Sequence, residues 1–373
     1  MIFSEREIDL LRLVYWCQYI RPEDLIDLFP DAEVDTLTRL KYVAVHQNSG
    51  ALVVTDRGRH FLAGVFQNRI PILRRSFHRE AITRRLRCSH LVLTAYRAGV
   101  DTFTASMSCL DQSPSLFLPI ITRGRGSNPW GSTRVAALLR LGDQLLAAHH
   151  VAPGIGRLAL LDELTAFNNQ TSRIRGVNRG FLFTGASYQT ILEELDSPPA
   201  SGDSKLIGYG TAWRRLQYPV YLLPCDSTGV TQLQIMAIPD YRRRLTLAAL
   251  RAHYAPPPED VPEWDAIMDG LPFVMAVDMD LRRIDAAIDR AQAHGIEKIA
   301  VAGLESQADQ VLYARYRETG KARVFILPGE TLEQAVGGPL KPYAPARAQY
   351  VTEKGEVVDA PLIKAGRKAG RPR

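Results

Sequence analysis

The first 64 residues constrain the fold more tightly than any other part of the chain. Ser4 and Glu7 form an S-x-x-E capping box, and Ile8, Leu10, Leu11, Leu13 and Val14 follow as the apolar face of a helix. Pro22 is a favourable first helical position and opens a second helix carrying Leu25, Ile26 and Leu28. A third helix is predicted over 35–42, with Leu37 and Leu40 inward and Thr36, Thr38, Arg39 and Lys41 outward. Two short strands follow at 43–47 and 51–55, joined by the turn residues Asn48, Ser49 and Gly50. Asp56-Arg57-Gly58-Arg59 begins a last short helix.

Three helices followed by a β-hairpin resemble a winged helix-turn-helix, and the run LVVTDRGRHFL is similar to the strand-and-helix ending of that fold. Such folds usually set the third helix in a DNA groove. The resemblance implies DNA contacts from Thr36, Thr38, Arg39 and Lys41, with Asn48 and Ser49 of the wing near the backbone. The alternative is a winged helix that touches protein. Glu23, Asp24, Asp27, Asp31, Glu33 and Asp35 favour it, because an acidic surface repels phosphate.

At 373 residues the chain is long enough for two or three domains, and its 46% hydrophobic and 23% charged residues suit a globular protein. No apolar run approaches the ~18 residues of a membrane span, and the charged, capped start is unlike a signal region. A cytoplasmic location without membrane association is expected. Cys17, Cys88, Cys109 and Cys225 lie far apart with no C-x-x-C pair, so reduced thiols are expected and no metal or cofactor is implied.

Positive charge is concentrated in two places. Residues 1–64 hold seven Lys/Arg against ten Asp/Glu, a net of −3; residues 65–100 hold eight against one, a net of +7. Residues 361–373 hold five against none, a net of +5. Such clustering is the footprint of a phosphate-binding surface. Residues 77–98 read as a basic helix in which Arg79, Arg84, Arg85 and Arg87 could track a DNA backbone or form a solvated face between domains. The tail KAGRKAGRPR resembles an AT-hook: Gly370-Arg371-Pro372 supplies the core, flanked by Arg367, Lys368 and Arg373. Proline keeps such a segment extended, and arginine is drawn to the negative minor groove. Ala369 stands where an AT-hook has arginine, so the tail also reads as a plain basic extension.

Five segments follow from this patterning: a winged helix at 1–64, a basic connecting helix at 65–100, a β-rich mixed α/β domain at 101–255, a βαβαβ segment at 256–337 completing that domain, and a disordered basic tail at 338–373. Strands are predicted at 101–106, 116–122, 134–141, 144–151, 180–184, 218–223 and 231–238, and Asp240 is predicted to cap the next helix. No internal repeat is apparent.

A nuclease needs carboxylates converging on a divalent metal. Asp143, Asp162, Glu163, Asp278, Asp280 and Glu305 are the candidates. Asp278 and Asp280 share a strand face as i and i+2, yet Asp280 is also a good N-cap for a helix at Leu281; Asp162 and Glu163 read as solvated. His149 and His150 point to opposite faces of a strand and cannot chelate together. The loop at 122–134, with Arg123, Arg125 and Arg134, lacks the P-loop spacing and lysine. No catalytic or metal-ligating set is therefore expected.

The winged helix, the basic helix with His78, Arg79 and Glu80, and the α/β domain together resemble the replication-relaxation family of plasmids and integrative conjugative elements, most clearly over 1–100 and more loosely over 130–250, where STRVAALLRLGDQLLAAHHV is similar to a strand hairpin of that family. The resemblance implies an α/β chain whose C-terminal domain is a degenerate restriction-endonuclease-like fold. It implies a DNA-binding role in replication, mobilisation or transcriptional control of a mobile element. Double-stranded DNA is the expected partner, with a second copy of the chain or other proteins of the element as further candidates. The alternatives are a metal-dependent relaxase-like nickase and a protein-assembly factor.

Removing residues 361–373 is expected to weaken binding to duplexes of every sequence. It should also flatten the salt dependence by about one unit of slope per lost phosphate contact, read by gel-shift titration at several salt concentrations.

Overall fold

The computed structural model describes residues 2–67, 69–73, 75, 77–121, 130, 135–151, 160–196, 216–343, 350–352, 354 and 356–358. The chain is mixed α/β and divides into two compact units, Met1–Ser89 with Ala344–Arg373, and His90–Tyr343.

In the N-terminal unit, strand β1 (Ile2–Ser4) leads into helix α1 (Glu5–Cys17), and Ser4 and Glu7 form the capping box the sequence announces. The helix predicted at Pro22 is a single tight turn, Pro22–Leu25. Helix α2 (Asp31–Arg39) starts one turn earlier than predicted, directly after Pro30, and ends before Lys41, whose φ of 60° cannot continue a helix. The hairpin of β2 (Val43–Val45) and β3 (Leu52–Val54) follows, then α3 (Asp56–Val65), capped by Thr55. Phe3, Tyr42 and Phe61 form a buried ring cluster with centroids 4.8–5.4 Å apart.

Two expectations change here. Helix α4 (Arg79–Arg97) is more than a connector, because the boundary between the units falls inside it. Its Ile82 packs on Tyr19, Ala51 and Val53 of the N-terminal unit. The segment 338–373, expected to lack order, supplies β14 (Tyr350–Thr352), which pairs antiparallel with β1 in the register Phe3↔Val351, and β15 (Val357–Val358) beside it. An open edge at β1 offers unpaired backbone donors and acceptors, and a short distant segment satisfies them. The sequence carries no periodic signal for that pairing.

The second unit contains two five-stranded sheets. The first runs β4 (Ser115–Phe117), β5 (Ala137–Leu141), β6 (Gln144–His150), β7 (Asn178–Gly185) and β8 (Val220–Pro224). The second runs β9 (Tyr254–Ala255), β10 (Ala266–Met268), β11 (Leu271–Met275), β12 (Ile299–Gly303) and β13 (Ala322–Ile326). In each, neighbouring strands are consecutive in sequence; the first three are antiparallel and the last three parallel. The helices match too: α5 (Leu160–Thr171) and α6 (Tyr188–Asp196) cross over in the first sheet. In the second sheet α9 (Leu281–Ala293) and α10 do so, the latter opening at Glu305–Gln307 and continuing in wider π-type turns over Ala308–Arg317. Helix α11 (Gly329–Val336) closes the unit.

This is a topological repeat that the sequence reading misses, and the second half builds its own sheet instead of extending the first. Gly185 and Gly303 end equivalent strands, and both admit a following helix so closely that a Cβ would lie 2.7 Å from Ile191 Cγ1 or 2.9 Å from Leu312 Cδ1. The repeat is hidden because equivalent connections differ in length, 186–219 against 304–321, and because helix α7 (Ser227–Met236) stands where a strand at 231–238 is predicted. Asp226 caps α7 by accepting from the Gly229 N–H at 3.0 Å, and Val230, Gln232, Leu233 and Ile235 are buried as helix. Asp240 precedes α8 (Tyr241–Leu250) but lies in a left-handed conformation and makes no capping bond.

A buried polar chain ties the halves together. The Tyr188 hydroxyl of α6 donates to Gln232 Oε1 of α7 at 2.5 Å and accepts from Gln307 Nε2 of α10 at 2.9 Å. Gln232 and Gln307 also donate to the carbonyls of Asp278 and Val277, at 3.1 and 2.8 Å. All three side chains are fully buried. Tyr188→Phe strands the Gln232 acceptor and is expected to cost about 1–3 kcal/mol, seen as a lower urea midpoint with unchanged far-ultraviolet circular dichroism.

Candidate functional site

The turn after α2 brings together three exposed cations of the N-terminal unit. Arg39 ends α2 and Lys41 follows in its left-handed turn, and both side chains are exposed. Arg57, in the first turn of α3, donates from Nη1 to the Leu40 carbonyl at 3.1 Å and lies 4.6 Å above the Tyr42 ring. Thr55 Oγ1 donates to the Lys41 carbonyl at 2.6 Å, so the turn is pinned from α3. Three cations thus surround one short, fixed stretch of backbone. Sequence reasoning missed Arg57; its approach to Leu40 is a contact distant in sequence, and the only local signal is the Thr55 cap that sets Arg57 in a first helical turn.

The other residues singled out from the sequence divide into groups. Thr36 and Thr38 are half-buried, and their hydroxyls donate back to the Ala32 and Val34 carbonyls at 2.6 and 2.8 Å, which occupies their protons within α2. Asn48 is exposed at the hairpin tip, while Ser49 contacts His46 Nδ1 at 2.9 Å and holds the turn. On α4, Arg79 and Arg84 are exposed and Arg85 and Arg87 half-buried. Arg367, Lys368, Arg371 and Arg373, and residues 122–129 and 131–134 of the basic loop, lie outside the described residues.

The acidic surface is smaller than expected. Glu33 is buried, and its Oε2 lies 3.1 Å from Arg6 Nε, which cancels its charge. Glu23, Asp27, Asp31 and Asp35 remain exposed.

The carboxylates considered for a metal are dispersed. Asp143 is exposed and accepts from Asn178 at 2.8 Å. Glu163 is buried, not solvated, with Oε2 3.8 Å from His149 Nε2. His149 is itself fully buried against Phe181 and Phe183, and burial pushes its imidazole down to about 3, so it is neutral at ordinary pH. Glu305 is exposed at the start of α10. Among the described residues no group of three or more His, Cys, Asp or Glu is arranged to hold a metal ion.

Asp278 and Asp280 do not share a strand face, because β11 ends at Met275 and the chain turns at Met279 with φ 55°. Asp278 is fully buried and fully engaged. Its Oδ2 accepts from Arg242 Nε at 2.5 Å and Tyr241 Oη at 2.7 Å, and its Oδ1 from the Asp280 N–H at 3.1 Å. Arg283 Nη2 lies 3.9 Å away and binds Asp265 through Nη1 at 2.7 Å. Burial alone pushes the Asp278 carboxyl up; the two guanidinium groups and the hydrogen bonds outweigh it and hold the group below the usual range. Asp280 is the N-cap of α9, accepting from the Arg283 N–H at 3.2 Å. Burial and then the Asp278 charge push its carboxyl up to about 6.

No protein-family profile, curated protein or solved structure matches the chain.

Because Asp280 is an acid whose pKa rises on folding, its protonated form favours the folded state. That contribution is complete below its unfolded value near 4 and is lost as pH rises through about 6. Asp280→Asn keeps a capping acceptor and removes the charge. Denaturant titrations from pH 4.5 to 7.5 should show the variant gaining on the wild type, by about 2–3 kcal/mol at the upper end.

Proposed function

We propose that the protein binds double-stranded DNA through its N-terminal unit. The observation that carries this reading is the group of Arg39, Lys41 and Arg57 about the turn after α2, held on fixed backbone beside a hairpin with Asn48 exposed. Cations positioned this way meet phosphates without first losing much conformational freedom, and phosphate contact supplies most non-specific affinity for DNA. Arg79 and Arg84 extend the exposed charge along α4. Of the acidic candidates for nuclease chemistry, Asp278 is taken up by an ion pair and Asp280 by a helix cap, which supports a binding role over strand nicking. The setting in replication, mobilisation or transcriptional control of a mobile element rests on the family resemblance alone, and the identity of the neighbouring genes tests it.

A second reading, contact with protein, draws on Ile26 and Val45, which are 59% and 54% exposed in the same unit as the acidic residues. One experiment separates the two. Arg39→Ala with Lys41→Ala should weaken duplex binding by about 1–3 kcal/mol per lost base contact, and Arg57→Ala should lower the salt slope, both in gel-shift titrations. Unchanged binding by the folded double variant would transfer the assignment to protein contact.

A further inference from the structure

The second unit contains a cleft of about 760 Å³ that none of the preceding chemistry uses. It opens between the starts of β6, β7 and β8 in the first repeat and the start of α8 with the β9–β10 connection in the second. Its size falls within the ~300–1,000 Å³ of small-molecule sites, and boundaries between structural halves are where such sites concentrate.

Two groups in the cleft are preorganised for hydrogen bonding. Gln144 is only 7% exposed; its Nε2 donates to Tyr221 Oη at 3.0 Å, while its Oε1 has no partner among the described residues. A buried acceptor left unpaired costs stability unless something donates to it. Beside it, the Arg242 guanidinium is fixed through Nε on Asp278, with Nη2 3.5 Å from the same Tyr221 hydroxyl. Its side chain remains 27% exposed and lines the cleft, so it offers donors there. An acceptor-bearing and a donor-bearing side chain therefore meet at the Tyr221 hydroxyl. The half-buried rings of Tyr218 and Tyr254 line the same cleft, and Trp264 contributes to its wall.

The complement of this arrangement is a flat ring that carries a hydrogen-bond donor next to an acceptor. Every nucleobase presents that pair on its Watson–Crick edge, and its faces stack on tyrosine. The three arginines of the lining, Arg179, Arg242 and Arg243, stand with three carboxylates, Asp143, Asp240 and Asp265, and Arg242 is already paired with Asp278, which favours a neutral ring over a bare phosphate as the group bound there. We propose that this cleft is a nucleobase-binding site, in which Gln144 accepts from and Arg242 donates to the base edge while Tyr218 and Tyr254 flank the ring. The proposal stands apart from duplex binding by the N-terminal unit. The base could come from a free nucleotide or from an unpaired position in a single strand, and the chemistry is the same.

Isothermal titration calorimetry of the full chain with dAMP, dTMP, dGMP and dCMP, with a short single-stranded oligonucleotide, and with deoxyribose 5-phosphate tests it. At least one nucleotide or the oligonucleotide should bind, and the sugar phosphate should bind at least about tenfold more weakly. Preference for the oligonucleotide over every mononucleotide identifies a strand as the source; equal affinity identifies the free nucleotide. Gln144→Leu should lose about tenfold or more while duplex gel shifts stay unchanged. If that variant does not fold, Tyr254→Ala is read in the same way. The assignment is overturned if the sugar phosphate binds as well as the nucleotides, if none of the probes binds at millimolar concentration, or if a folded variant binds like the wild type.

Discussion

The carboxylate of Asp278 sits out of water between two guanidinium groups, and much of the second unit is arranged to keep it there. An isolated ion at that depth would be strongly disfavoured, so Arg242 from α8, Arg283 from α9 and Tyr241 must all be in position at once. The main chain at the same residue accepts from Gln232, and the polar chain through Tyr188 to Gln307 continues from there. One buried charge therefore fixes the junction where the second repeat leaves its sheet and meets helices of the first. Such networks are satisfied only as a whole, which makes the junction specific.

The same junction limits and creates chemistry. It consumes two of the candidate acids, Asp278 as a buried counter-ion and Asp280 as a helix cap, so they are not free to converge on a metal. It also holds Arg242 through Nε while the side chain remains partly exposed and lines the cleft. Where two similar sheets are joined in one chain, the seam is the place that neither half could build alone. Gln144 comes from the first half and Arg242 from the segment leading into the second. In the N-terminal unit the corresponding device is smaller: Arg57 and Thr55 fasten the turn that presents Arg39 and Lys41.

Much of the local structure was legible in the sequence. The Ser4–Glu7 capping box, the hairpins at 43–54 and at Gly142-Asp143, the Asp280 cap and the alternating strands and helices from 271 to 327 all rest on contacts within a few residues. Composition and pattern determine such features because each turn or cap is closed by its own neighbours. Helix α7 reads as a strand from sequence because a short partly apolar run fits strand and buried helix equally, and only burial on several faces decides between them.

What the tertiary structure alone decided depends on long-range pairing. The repeated topology has no visible sequence period, since its signature is strand order and direction and its connections differ in length. The pairing of β1 with Tyr350–Thr352, the burial of Glu33 against Arg6 and of Glu163 beside His149, and the approach of Arg57 to Leu40 join residues separated along the chain. Which residues carry charge and which are apolar follows from the sequence alone. The fold decided which charges are neutralised inside and which remain at the surface, because the cost of burying a charge is set by partners that only folding brings within reach.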